Sequence, residues 1–474
     1  MTDVCVVGAT AAGVAAVVGA REAGATVTLV EPGRHVGGMV SGGLSWTDVG
    51  DTHVLGGFAR RFYSDVADHY GAPLWSVRGP EPRLAESILS GYLDGIDVTD
   101  ELPEAAVYVD ASYEGDLLPG FGVSYRVGRE SRSLHGERWA GRQPATRPGK
   151  HNFPGRLSPF AADGSLLPHV RAPELDDDGW PIDALGDADG GLQAYAFRVC
   201  LTDRDDNRIP FAEPEGYDPA EFALLDRLLA AVPYEPHDLL GLVPDLLPNG
   251  KCDVNSIGPF SLNVLDGSNR GYPDGSPDER ARIRDHHLRY TQAFLWHLSE
   301  RFPEVARWGL CADEFVDTDG WPHQLYVREG RRMVGAHVLT ERELLDGGRP
   351  DDSVALGSYN IDVREVERTW RALPEYVRED VVCNEGYLSV AVPAYGIPYR
   401  SLHPRREQAT NLLVPVCLSA SAVAFGSVRM EPTLMLLGHA CGHAAAQAAR
   451  RGVAVQDVDV RELQDALRER RQVL

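Results

Sequence analysis

Apolar residues change their spacing along this chain, and the spacing predicts its elements. Val4-Cys5-Val6-Val7 is a short unbroken apolar run, the pattern of a strand buried on both faces. Gly8 ends it. Ala11–Ala23 is alanine-rich and reads as a helix closed by Gly24, a residue suited to the turn after a helix. Thr26–Val30 (TVTLV) is the next strand. Strand, helix, strand at this spacing predicts a doubly wound α/β sheet. A second strand-like run, Ala106–Val109, stops at Asp110-Ala111-Ser112. From about 127 to 300 Gly, Pro and Asp are frequent, and Asp176-Asp177-Asp178 reads as a solvated acidic loop. Residues 278–302 predict an amphipathic helix and residues 411–416 (NLLVPV) a last sheet strand. Leu434–Arg450 predicts a helix whose Gly438, Gly442 and alanines permit close packing, and 461–471 a surface helix.

At 474 residues and 43% hydrophobic content the chain has material for two or three lobes. The net charge of −24 repels phosphate backbones and anionic lipid, which argues against nucleic-acid and membrane partners. Positive charge is almost all arginine, Lys150 and Lys251 being the only lysines. The cysteines at 5, 200, 252, 311, 383, 417 and 441 are odd in number and none has CxxC spacing, so neither a disulfide framework nor a zinc site is expected. Asp3 near the start does not suit a signal peptide, and the apolar stretch Ala9–Ala20 is too short for a bilayer span. A cytoplasmic enzyme with a small-molecule substrate is the expectation; oligomeric state is not readable.

The turn Gly8-Ala9-Thr10-Ala11-Ala12-Gly13 is the dinucleotide fingerprint with threonine at the middle glycine. Gly8 allows the tight turn, and Gly13 lets helix approach strand. Amides at the helix start, those of Ala11 and Ala12 among them, then meet a pyrophosphate. The Thr10 hydroxyl is expected to add a donor there. Glu31, at the end of the second strand, stands where an acid takes the adenosine ribose hydroxyls. Gly37-Gly38-Met39, just beyond it, suit a loop along the flavin side of FAD rather than NAD.

Longer stretches carry a resemblance. These are Gly37–Asp48 (GGMVSGGLSWTD), Asp110–Glu130, Lys251–Val264, Trp321–Met333, Tyr395–Ser401 and Leu412–Gly438. In them the chain resembles the FAD-dependent oxidoreductases with a GxTxAG turn, relatives of which are often called xanthan lyase. The resemblance implies a Rossmann-type FAD-binding domain in two pieces, 1–126 and 395–474, with an inserted substrate or cap domain at 127–394. It implies FAD contacts from Ala111, Arg429, Met430, Glu431 and Thr433, with a helix beginning near Thr433 and turned toward the flavin pyrimidine. Three departures stand out. Arg83 replaces a family histidine after Glu81-Pro82, Val363 follows Asp362 where a second histidine is expected, and Ala422 replaces the histidine of Ser-Ala-Ser-His. The stretch before Ala106 is also short, as if a small β-meander were trimmed.

Candidates for the chemistry follow from residue type. Arg328 and Arg332, four apart, are expected to share a helix face and clamp an anion beside His323 and Tyr326. Tyr399, Arg400 and His403 precede the last strand, with His403 the acid–base candidate by type. Arg83 is a candidate for a new anionic group. Each is also readable as a surface or structural residue. Hydride removal from a small polar, carboxylate-bearing substrate, in bacterial specialised metabolism, is the leading expectation. A flavin-containing lyase or isomerase without net redox, and a degenerate relative without flavin chemistry, remain alternatives.

Overall fold

A computed structural model describes residues 2–144, 151–255, 257–373 and 378–474. The chain forms two compact units. The first comprises Met1–Val127, Glu329–Asp362 and Ser389–Leu474, the second Gly128–Arg328 and Val363–Leu388. Residues 329–362 and 389–394, expected in the inserted part, therefore pack with the first unit.

The first unit is built on a parallel sheet of β1 (Thr2–Val7), β2 (Val27–Val30), β3 (Asp97–Thr99), β4 (Ala105–Asp110) and β5 (Leu412–Leu413), in the order β5-β4-β1-β2-β3. The last strand is shorter than its apolar run, in keeping with Pro415, which cannot donate to a ladder. The short segment before β4 supplies β3 as the sheet edge. Between β1 and β2 runs α1 (Ala11–Glu22). The helices α2 (Gly57–His69), α3 (Pro82–Gly91), α4 (Ala422–Val428), α5 (Glu431–Arg451) and α6 (Val460–Glu469) complete the frame.

Small residues let α1 and α5 touch backbone to backbone. A Cβ on Gly438 would stand 2.0 Å from Ala12 O, and one on Gly442 2.1 Å from Ala16 O. Every residue of α5 from Glu431 through Ala448 is buried, so this helix is interior structure.

The second unit has an antiparallel sheet in the order Arg208–Pro210, Gly309–Cys311, Val199–Thr202, Lys251–Val254, and the helix Pro277–Ser299 packs into its core. Ser276 and Glu279 form a capping box that starts this helix. Within the matched stretch Lys251–Val264, Ser256 lies outside the described residues. Lys251 binds Asp313 and Glu314, while Asp253 holds Arg198, so these two polar residues of one strand have separate partners. Asp176 accepts from the amides of Asp178 and Trp180, closing its own acidic turn. No helix of the described residues is long and apolar enough to cross a membrane.

Candidate functional site

The turn after β1 is built by two constraints. Gly8 has φ +93°, and a Cβ there would meet Ser112 N at 3.0 Å. At Gly13 a Cβ would fall 1.9 Å from Gly8 O, so no side chain fits. Thr10 is the N-cap of α1: its Oγ1 accepts from Gly13 N (3.0 Å) and donates to Ala111 O (2.8 Å). The hydroxyl expected as a ligand donor is instead engaged in tying α1 to the end of β4. The amides of Ala11 and Ala12, in the first turn, have no intrahelical acceptor available. Glu31 accepts from Ala9 N (2.8 Å) through Oε2 and from Gly33 N (2.7 Å) through Oε1. Its carboxylate holds the turn and keeps further lone pairs on both oxygens.

The Gly37–Met39 loop docks on this turn. Gly37 N donates to Ala9 O (2.7 Å), and Gly38 has φ +56° where a Cβ would strike the Tyr113 hydroxyl at 2.6 Å. Glu86 of α3 steadies the approach by binding the His35 ring (3.0 Å) and Val36 N (3.2 Å).

From the loop a hydrogen-bond chain runs inward. Met39 N donates to the Tyr113 hydroxyl (2.9 Å), which donates to Glu431 Oε1 (2.8 Å). Glu431 is the first residue of α5, two residues earlier than the sequence suggested, with Pro432 next, where a missing N–H does no harm. Burial pushes the Glu431 carboxyl up to about 7, against a smaller lowering by the Tyr113 hydroxyl. Its Oε2 makes no hydrogen bond among the described residues, nor does the buried hydroxyl of Ser45, while the buried hydroxyls of Thr47 and Tyr63 lie beside each other. Burial, and the charge of Glu431, raise the Tyr63 phenol above its usual range, against a smaller lowering by the Thr47 hydroxyl.

Asp110 organises the turn behind Tyr113. Wholly buried, it accepts from Ser112 N (3.1 Å), Ser112 Oγ (2.7 Å) and Leu117 N (2.8 Å). Burial raises its carboxyl to about 6 despite these bonds.

The remaining candidates are held by partners of their own or flank Glu431 in the chain. Arg429 follows α4 and donates to Asp362 O (3.0 Å) and Oδ2 (3.3 Å). Met430 and Thr433 are buried on either side of Glu431 in the chain. Arg400, partly exposed, pairs with Asp352 (2.6 Å), and the Tyr399 hydroxyl donates to Val455 O (2.7 Å). His403 gives its Nδ1 proton to Pro404 O (3.0 Å), and burial lowers the imidazole below its ordinary value. Arg83, half-exposed, binds Glu81 at 3.2 Å.

The expected helix through Arg328 and Arg332 does not form. Gly330 sits against Tyr113 O, where a Cβ would stand at 2.5 Å, and Arg332 lies in the strand Arg332–Met333 paired with Tyr125-Arg126. Arg332 is buried near Glu329 in the first unit. Arg328 belongs to the second unit, where it donates to Ala194 O and stacks over Tyr326 at 4.3 Å. His323, in the same unit, packs edge-on against Phe315.

Sequence reasoning missed Glu86, Ser45, Thr47, Tyr63 and the bond between Tyr113 and Glu431. Ser45 and Thr47 lie inside the resembling stretch Gly37–Asp48, the one signal that points toward them. Nothing local marks Glu86 or Tyr63.

The pattern of the family described as FAD dependent oxidoreductase matches residues 3–102 and 99–467. No curated protein matches the chain. Among solved structures it is similar to a triple mutant of the flavin-dependent brominase Bmp2, at 10% identity over 99% of this chain and 84% of that one, with a TM-score of 0.33. It is similar to the anhydrotetracycline hydroxylase OxyS from Streptomyces rimosus at 16% identity, over 28% of this chain and 35% of that one, with a TM-score of 0.22. A steroid monooxygenase bound to NADP is matched at 18% identity, over 37% of this chain and 34% of that one, with a TM-score of 0.17. The chain spans about a third of the length of these last two. With nearly its whole length matched by the family pattern, the chain belongs to the FAD dependent oxidoreductase family, and its cofactor is FAD.

The residues present fit that cofactor. The first-turn amides of α1 suit a diphosphate and Glu31 suits a ribose. Glu431 Oε2 and the hydroxyl of Ser45 are buried polar atoms for which the described residues supply no hydrogen bond.

Proposed function

We propose that this enzyme removes a hydride from a small polar substrate, by desaturation or by C–N or C–O oxidation, and that Glu431 is its acid–base group. Bound FAD supplies the hydride acceptor. The amides of Ala11 and Ala12 would bind its diphosphate and Glu31 its ribose. The observation that carries the proposal is the chain from Met39 N through the Tyr113 hydroxyl to Glu431. It fixes the Glu431 carboxyl through Oε1 and leaves Oε2 to hold or release a proton. A group titrating at about 7 exists in both forms at neutral pH, the condition for efficient proton transfer. His403 is the weaker candidate, since its Nδ1 proton is committed to Pro404 O.

A carboxylate on the substrate has less support than its polarity. Of the arginines expected to contact substrate or cofactor, Arg83, Arg328, Arg400 and Arg429 each have an acceptor inside their own unit, and Arg332 stands 3.8 Å from Glu329. A bacterial, cytoplasmic setting in specialised metabolism is proposed with the activity, on composition and resemblance.

Anaerobic mixing of the holoenzyme with a panel of hydroxy acids, amino acids and amines tests this. Bleaching of the flavin absorbance by one class, matched by an oxidised product, supports it. Product formation with an unchanged spectrum would instead establish the lyase or isomerase alternative.

A further inference from the structure

The far end of α1 meets α5 at a second polar cluster. His439 and His443 stand four residues apart and therefore on one face of α5. Gly19 lets that face approach: a Cβ there would lie 3.1 Å from His439 Cδ2 and 3.2 Å from His443 Cδ2. Both imidazoles are buried, at 2% and 5% exposure, and both turn Nε2 toward Glu22 Oε2, at 3.3 and 3.6 Å. One ligand atom from each of the three residues lies within 4.8 Å of the others. Arg470, just past α6, contacts the same oxygen through Nε, and Arg61 of α2 stands 3.5 Å from Oε1.

Hydrogen bonding accounts poorly for this arrangement. Charge-assisted bonds run at about 2.7–2.9 Å, and both imidazole contacts are longer. His439 Nδ1 is buried without a hydrogen-bond partner among the described residues, and His443 Nε2 has the 3.6 Å contact to Glu22 Oε2, too long for a good hydrogen bond. Ligands of a tetrahedral ion with bonds of about 2.0–2.1 Å lie roughly 3.3 Å apart, close to the two imidazole–carboxylate spacings of 3.3 and 3.6 Å. Imidazole nitrogens with one carboxylate select zinc and its neighbours over magnesium or calcium.

We propose that Glu22 Oε2, His439 Nε2 and His443 Nε2 bind a divalent ion of the zinc class, with Arg470 as the competing cation on the same carboxylate oxygen. The site sits roughly 16 Å along α1 from the dinucleotide turn, at about 1.5 Å per residue, so its role is to clamp α1 to α5 and not to act on substrate. Cysteine spacing argues against zinc, and histidine spacing alone does not argue for it, because Glu22 is 417 residues from His439.

The test is titration of the chelator-treated, FAD-loaded full chain with zinc chloride by calorimetry, with cobalt(II) absorption as a second readout. Stoichiometric binding is expected, weakened more than about tenfold by His439→Gln or His443→Gln and tightened by Arg470→Gln. Zinc should also raise the melting temperature of the unmodified chain but not of the double histidine variant. Should the histidine variants fail to fold, Arg470→Gln decides, because that side chain is partly exposed and its loss predicts a gain in affinity. Absence of binding in both the unmodified chain and Arg470→Gln would overturn the site. So would binding that survives both histidine substitutions, which would place the ion on surface histidines such as His53.

Discussion

The first turns of α1 and α5 belong to two helices packed along each other, yet they treat polar groups in opposite ways. At α1 the side chains around the turn are committed: Thr10 caps Gly13 and holds Ala111, and Glu31 ties Ala9 to Gly33. At α5 the N-cap residue, Met430, offers no capping side chain, and Glu431 Oε2 stays without a hydrogen bond among the described residues. Native interiors leave few such groups. The first turn is therefore finished on its side-chain side, with only backbone amides left to offer, and the second keeps a buried carboxylate oxygen in reserve.

The largest expected effect comes from breaking the cradle. Gly13→Val forces a side chain into Gly8 O, so the turn cannot close and the purified protein should lack a flavin spectrum, even with excess FAD. A variant that still binds FAD tightly would remove the turn from the site.

Next is Glu431→Gln, which keeps the shape and removes the titrating proton. Flavin content should stay, while turnover with a bleaching substrate falls about 10²–10⁴-fold. Its pH dependence sharpens the comparison. Glu431 ordinarily titrates at 4.5 and is raised to about 7 in the fold. The folded state then binds the proton more tightly than the unfolded chain. The group therefore lowers stability progressively as pH rises from 4.5 to about 7, by about 3 kcal/mol in all. In chemical denaturation of flavin-free protein, Glu431→Gln should gain stability relative to the parent across that window. Parallel curves for the two would show that Glu431 is not raised.

Tyr113→Phe comes third. Losing the hydroxyl leaves Met39 N without its acceptor, which costs about 1–3 kcal/mol, and removes the bond that lowers Glu431. The Glu431 limb of the turnover profile should move to higher pH. Thr10→Ala is the smallest: loss of an N-cap destabilises by about 1 kcal/mol in denaturant titrations. FAD affinity should change little, because the hydroxyl already serves the protein.

Much of the first unit is legible in the sequence because its signals are local. A buried strand shows as an apolar run, a tight turn demands glycine within a few residues, and a helix that must touch another carries small residues at helical spacing. Gly8, Gly13, Glu31, Gly438 and Gly442 all bear such marks. The sequence by itself therefore determined the α/β frame, the dinucleotide turn and the family. Only the tertiary structure decided which polar groups meet. Tyr113 and Glu431 are 318 residues apart, and no spacing rule joins them. Arg328 and Arg332 have the spacing of a helical pair, but Gly330 and the pairing of Arg332 with Arg126 set them in different units. Glu431 is visible as part of a motif, but its proton affinity is not, because burial sets it, and burial is a property of everything packed around a residue.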